Sequence, residues 1–192
     1  MAATLLFQAS LATGCSQEGE TRALASVGAS ALADISLTDH DGKTWTPSAF
    51  EGSWSLLFLG FTRCPNVCPL TLQQTGAARR WLEAREVAPP QVFLLSVDPE
   101  HDTPERLRSY LSAFGAGYTG LTGPEAEIGR VARWLDATYH KVERPNAQTG
   151  AVEHSAYLYF VDPQGRVRTR FSGVDTARDI GHAMLRIMQP GS

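Results

Sequence analysis

Cys64 and Cys68 stand with three residues between them in Phe61-Thr62-Arg63-Cys64-Pro65-Asn66-Val67-Cys68-Pro69-Leu70, after an apolar run and before a helical pattern. Two thiols at that spacing can approach each other across one turn. They can close as a disulfide or open as a bidentate clamp for a soft ion. A strand-to-helix junction adds helix N-terminal amides, which favour negative charge and are expected to lower a thiol pKa. Thiolates select Cu(I), Zn or iron–sulfur iron, and two sulfurs leave each of these under-coordinated. The pair therefore reads as a redox couple, a metal clamp, or both, and a metal would need a third ligand from elsewhere.

The five histidines are the pool for that ligand. His40 falls in a turn and reads as a solvated loop residue. His101 follows a strand in Pro99-Glu100-His101-Asp102, His140 ends an amphipathic helical pattern, and His182 lies on the last helix. His154, in Glu153-His154-Ser155, enters a strand at Tyr157–Val161 and is the favoured choice. Asp98 ends a buried strand at the sheet edge where α/β sites lie. It can orient the cysteine loop through a hydrogen bond, or simply close the turn before Pro99. Trp45, Trp54, Trp81 and Trp134 read as packing.

The elements that must position these residues follow from periodicity. Asp34–Asp39 alternates, Asp41-Gly42 turns, and Thr44-Trp45-Thr46 returns, which is a hairpin pattern. Ser55–Phe61 and Val92–Val97 are nearly continuous apolar runs that suit strands covered on both faces. Pro69 predicts a helix start with Cys68 at its N-cap, running to about Glu86. Thr103-Pro104 opens a second helix and Gly115-Ala116-Gly117 ends it. A short extended piece near Tyr118–Leu121 precedes a third helix, whose stripe is Ile128, Val131, Ala132, Leu135 and Tyr139. Residues 143–153 read as a loop. Tyr157–Val161 and Val167–Phe171 pair across a turn at Asp162–Gly165, and Asp175 caps a last helix.

Parallel strands joined by helices, then an antiparallel hairpin and a final helix, define an α/β domain with a central mixed sheet flanked by helices. The order looks like a thioredoxin-like fold with an N-terminal β-hairpin extension and an inserted helical segment. In folds of that kind the loop before the strand at Tyr157–Val161 faces the active-site cysteines and usually carries a cis-proline. His154 stands at the corresponding place here. Two thiolates and an imidazole would make a three-coordinate site suited to Cu(I).

Cys64-Pro65-Asn66-Val67-Cys68-Pro69, the block Ser96-Val97-Asp98-Pro99-Glu100-His101-Asp102-Thr103-Pro104, and His154-Ser155 together resemble the motifs of the Sco/SenC family. The resemblance runs from about Ala33 to Met188. It implies a thioredoxin-like copper chaperone that assists assembly of the dinuclear copper centre of cytochrome c oxidase, with Cys64, Cys68 and His154 as copper ligands. Copper would be held as Cu(I), with Cu(II) left open. The implied partners are a copper-receiving oxidase subunit or another cuproprotein, and a periplasmic copper donor. Phe61, Asn66 and Glu153 stand where the family commonly has Tyr, Asp and Asp. None of these departures removes a ligand, and Asn66 makes the cysteine loop less negative.

Of the three cysteines, Cys15 has a separate place. Thr4-Leu5-Leu6-Phe7 and Leu11-Ala12-Thr13-Gly14-Cys15 resemble the end of a bacterial lipoprotein signal, although Ala12 replaces a large aliphatic residue and no basic residue precedes the apolar stretch. Residues 1–33 are thus expected to be a signal segment and tether, and 34–192 the copper-binding domain. The implied location is the periplasmic side of a bacterial envelope, membrane-anchored. A net charge of −3 without a Lys/Arg cluster excludes a nucleic-acid footprint. No run of about eighteen apolar residues predicts a spanning helix. The competing function is a thiol–disulfide oxidoreductase that reduces a partner's copper-ligand cysteines, with Cys64 as the more exposed, attacking thiol. A peroxidase is disfavoured, because an arginine is wanted near the place of His154 and the usual proline-led loop is missing.

Overall fold

The computed structural model describes residue 32 and residues 34–142, 151–173 and 175–189. The expected signal and tether, Cys15 included, lie outside the described residues, apart from Leu32. In chain order the strands are β1 (Leu37–Asp39), β2 (Thr44–Trp45), β3 (Ser55–Gly60), β4 (Gln91–Ser96), β5 (Tyr118–Thr122), β6 (Tyr139–Val142), β7 (Ala151–His154), β8 (Leu158–Val161) and β9 (Val167–Phe171). The helices are α1 (Val67–Glu83), α2 (Pro104–Ser112), α3 (Glu125–Trp134) and α4 (Ala177–Met188), with a short 3-10 turn at Pro47–Phe50. Among the described residues, seven strands form one sheet in the order β2-β1-β5-β4-β3-β8-β9, and β6 and β7 form a second, two-stranded sheet.

Strands β3, β4 and β5 run parallel, and β8 and β9 close one side antiparallel. Every residue of β3 is buried, as a strand covered on both faces requires. Alternate residues face opposite layers. Phe93 meets Phe50 edge-on at 5.8 Å, and Phe50 stacks on Trp134 of α3 at 5.9 Å. On the opposite face the backbone is pared to glycine where helices press closest. A Cβ on Gly60 would lie 2.8 Å from the Cys68 sulfur of α1, and one on Gly120 would lie 2.8 Å from Leu107 of α2. The α/β class and the mixed, thioredoxin-like sheet match the expectation. The N-terminal hairpin turns about Gly42 (φ +77°) and joins the main sheet, with β1 antiparallel to β5.

Five local expectations are corrected. Helix α1 begins at Val67, with Asn66 as its N-cap, so Cys68 is already helical and Pro69 is the third helical residue. Proline fits there because amides of the first turn have no helical carbonyl to reach. The helix ends at Glu83, short of Glu86, whose φ of 59° is left-handed. Helix α3 ends at Trp134 because Asp136 adopts φ 53°, a region that Asp tolerates better than most residues. Tyr139 and His140 therefore lie on β6 and not on a helix. The expected loop at 143–153 is in part a strand: Ala151–His154 pairs antiparallel with β6, while 143–150 lie outside the described residues. Finally, Thr176 caps α4 in a capping box with Asp179, and Asp175 instead accepts from the Ser172 amide at 2.6 Å.

Candidate metal centre

The buried strand β3 delivers the chain to the edge of the sheet, where Phe61–Asn66 turns into α1. The Cys64 amide donates to the Phe61 carbonyl at 3.2 Å. Cys64 is 9% exposed and Cys68 0%, and no disulfide joins them. The Cys68 amide donates to the Cys64 sulfur at 3.4 Å, so the first turn of α1 already carries one sulfur toward the other. Gly60 leaves the space that the Cys68 sulfur occupies.

Two aspartates hold this loop. Asp102, 0% exposed, accepts from the Thr62 amide at 3.0 Å and the Thr62 hydroxyl at 2.6 Å. It also accepts from the Ser96 hydroxyl at 2.7 Å, which ties the loop to the end of β4. Ser96 Oγ in turn accepts from the Asp98 amide at 3.1 Å. Asp98 accepts from Arg63 Nη2 at 2.6 Å and Nε at 3.2 Å, and its other oxygen takes His101 Nδ1 at 2.9 Å. The two readings offered for Asp98 are thus joined: it sits at the strand end and also holds the residue before Cys64. Burial acts to raise the Asp98 carboxyl, but the hydrogen bonds and charges of Arg63 and His101 outweigh it and hold the group below its ordinary value. A depressed folded value means the clamp's contribution is present above the unfolded carboxyl pKa and is lost as pH falls through the folded one.

The expectation of a lowered thiol pKa fails at Cys68. Its hydrogen bond with Cys64, then burial, then the charge of Cys64 push the Cys68 thiol far up, and the Phe61 backbone offsets only part of this. Helix amides do not compensate a second sulfur in a buried turn. A proton on Cys68 is readily replaced only by another positive charge, and a soft cation between two converging sulfurs supplies it. The donor set therefore fits a thiophilic ion.

His154 is placed through its backbone. It is the last residue of β7, in register with Tyr139, and the Ser155 amide donates to the Thr138 carbonyl at 2.8 Å. Residues 155–157 link it to Leu158, which pairs with Phe58 two residues before Gly60. The chain therefore brings β7 to the sheet edge at which β3 delivers the cysteines. The fold brings Cys64, Cys68 and Asp98 into one site and carries the His154 backbone toward the same edge. Asp102, Thr62, Ser96, Arg63 and Gly60 are site residues that sequence reasoning missed. The signal for Asp102 was its place directly before the Thr103-Pro104 helix start, four residues after Asp98, but its burial is a property of the assembled sheet.

A thioredoxin-like α/β domain with a reduced dithiol clamped at the carboxyl end of a central strand is the class that fold and site define. The family model described as SCO1/SenC matches residues 26–189, and the chain belongs to that family. The mitochondrial Sco2 homologue of Bos taurus is 35% identical over 156 residues, 81% of this chain and 59% of that protein. A protein of Stutzerimonas stutzeri described as a putative copper-binding protein is 33% identical over 138 residues, 72% of this chain and 67% of its own length. The crystal structure of Arabidopsis thaliana ScoI with copper bound superposes with a TM-score of 0.76 at 29% identity, covering 80% of this chain and 95% of that one. This chain spans less than two thirds of the length of the mitochondrial Sco2 homologue.

Proposed function

We propose that this chain is a copper chaperone that assists assembly of the dinuclear copper centre of cytochrome c oxidase, with copper as its cargo. Cys64, Cys68 and His154 are the ligands in this reading. The observation that carries it is the pair of sulfurs converging in a turn braced by Asp98 and Asp102, with one sulfur wholly buried. Two thiolates supply soft donors, and an imidazole completes a low-coordinate site from which Cu(I) can leave by ligand exchange. Copper bound to the Arabidopsis relative supports the same choice of ion. The receiving partner is a copper-binding oxidase subunit or another cuproprotein, and a periplasmic donor loads the site. The thiol–disulfide oxidoreductase reading has less support, since the family match and the relative with copper bound both favour metal holding.

A Cu(I) titration of the reduced protein against a competing chelator tests the site. Wild type should take up one equivalent, and His154→Ala should bind it more weakly by about 10-fold or more, the scale on which even an outer-shell partner matters. Equal affinity in the two proteins removes His154 from the ligand set, and no stoichiometric binding by wild type removes the copper reading. We further propose residues 1–33 as signal and tether, with Cys15 lipidated on the periplasmic side of a bacterial envelope. Mass spectrometry of protein from the membrane fraction should then show the chain beginning at Cys15 with a diacylglyceryl adduct. An unmodified Cys15 in the mature chain would rule the anchor out.

A further inference from the structure

Among the described residues, the large hydrophobic side chains left exposed are Val67 and Leu70, at 42% and 49%. Both stand on the first turn of α1, on either side of the wholly buried Cys68. Their helical spacing puts them on one face with Thr71 and Gln74. Thr71 spends its hydroxyl donor on the Val67 carbonyl at 2.9 Å, so that donor is not offered to a neighbour. The face continues into a small cleft lined by Thr71, Gln74, Ala156, Leu158, Phe171 and Ile180, among others. Ala156 closely follows His154, so the cleft lies between the cysteine helix and the chain leaving the third proposed ligand. No Asp, Glu, Lys, Arg or His occurs from Cys64 to Ala78, although 19% of the chain is charged. On the other side of the dithiol, Arg63, Asp98 and His101 are engaged with one another. The dithiol thus has one flank whose charges are paired internally and one that is uncharged, apolar and exposed. Single exposed apolar residues are ordinary on a protein surface. Adjacent ones beside a site of exchange lie where a partner has to come.

We propose that Val67 and Leu70 are the docking surface for the copper-receiving oxidase subunit, which seats an uncharged, apolar rim of its own copper-ligand loop on them. The inference rests on the copper reading given above and adds where the receiver sits and what chemistry it presents. Ligand exchange brings an incoming sulfur or imidazole within bonding distance of an ion held by Cys64 and Cys68. A partner that close covers the first turn of α1, and with it Val67 and Leu70. A charged group pressed on this flank would lose its water and find no counter-charge, so the facing surface is uncharged. Copper leaves as Cu(I), so no electron moves. Bonds to this chain's ligands break as bonds to the receiver's form, and protons given up by incoming thiols pass to the sulfurs left behind.

Val67→Thr and Leu70→Gln keep side-chain size while removing apolar surface, and Leu70→Met keeps the apolar surface. The probe is the copper-free, water-soluble domain of the oxidase subunit that carries the dinuclear centre, with its cysteines reduced. Wild type and each variant are loaded with one equivalent of Cu(I). Copper passed to the domain is followed against time, at domain concentrations well below saturation. All four proteins should bind Cu(I) with the same affinity. Val67→Thr and Leu70→Gln should each transfer about 5- to 10-fold more slowly, the scale of losing part of a buried aliphatic side chain. Leu70→Met should match wild type. Raising salt from ~0.05 to ~0.5 M should leave the wild-type rate nearly unchanged, because an uncharged contact is not screened. Wild-type rates in both polar variants, or a wild-type rate that falls steeply with salt, overturn the proposal. So does a loss of Cu(I) affinity that accounts for the slower transfer, or self-association of wild type that Leu70→Gln abolishes, which makes a second copy the occupant. If wild type takes up no copper, the copper reading and this proposal fall together. If it binds copper and passes none to the domain, only the docking proposal is lost.

Discussion

Cys64→Ser and Cys68→Ser are each expected to abolish stoichiometric Cu(I) binding, weakening it by more than the ~100-fold that marks the upper range for outer-shell losses. A serine hydroxyl is a hard, neutral oxygen that keeps its proton, and Cu(I) is held by soft sulfur donors. With one sulfur gone, a single thiolate and an imidazole remain, and the competing chelator should win. The two variants should differ in stability. Cys68 is wholly buried against Gly60, so its serine hydroxyl enters a tight site with few partners and should cost about 1–3 kcal/mol. Cys64 lies nearer the surface and should cost less. Competition titration together with urea unfolding of the reduced proteins reads both effects. Either serine variant retaining one equivalent at wild-type affinity would show that copper binds elsewhere.

The second large effect is expected at a residue that never touches the ion. Asp102→Ala leaves the Thr62 amide, the Thr62 hydroxyl and the Ser96 hydroxyl without their acceptor inside the protein. A buried donor left unmade costs about 1–3 kcal/mol, so the variant should lose about 3 kcal/mol or more of unfolding stability, shared among donors that relax or find water. Asp102→Asn keeps one acceptor oxygen and should fall between the two. Because Thr62 stands two residues before Cys64, the loss should also loosen the cysteine loop, and alkylation of Cys64 in the native protein should become faster. Urea unfolding and the rate of alkylation check the two parts. A midpoint close to wild type with unchanged alkylation would show that Asp102 does not brace the loop.

Much of this was readable in the chain alone where the information is local. The unbroken apolar run of β3, the Thr103-Pro104 start of α2 and the Asp-Gly turn of the first hairpin are each decided by neighbours in sequence. The cysteine spacing and the position of Pro69 marked the end of β3 as the place of chemistry. Local pattern misjudged what local pattern cannot weigh. The stripe ending at Tyr139 continued a helical period, yet one left-handed residue, Asp136, turned the chain into β6 and gave Ala151–His154 a strand to pair with.

By itself the sequence determined the α/β class, the dithiol at a strand-to-helix junction, and the residues through which the chain resembles its family. Only the tertiary structure decided how those residues are held. It buried Asp102 beneath the loop, set Arg63 on Asp98, and hollowed the backbone at Gly60 for the Cys68 sulfur. The physical reason is range. Strand and helix starts depend on residues a few positions away, whereas burial and the electrostatics of a thiol depend on segments that meet only when the sheet closes. Placing Cys68 beside a second sulfur and away from water pushes its thiol up, where the junction alone predicted it down.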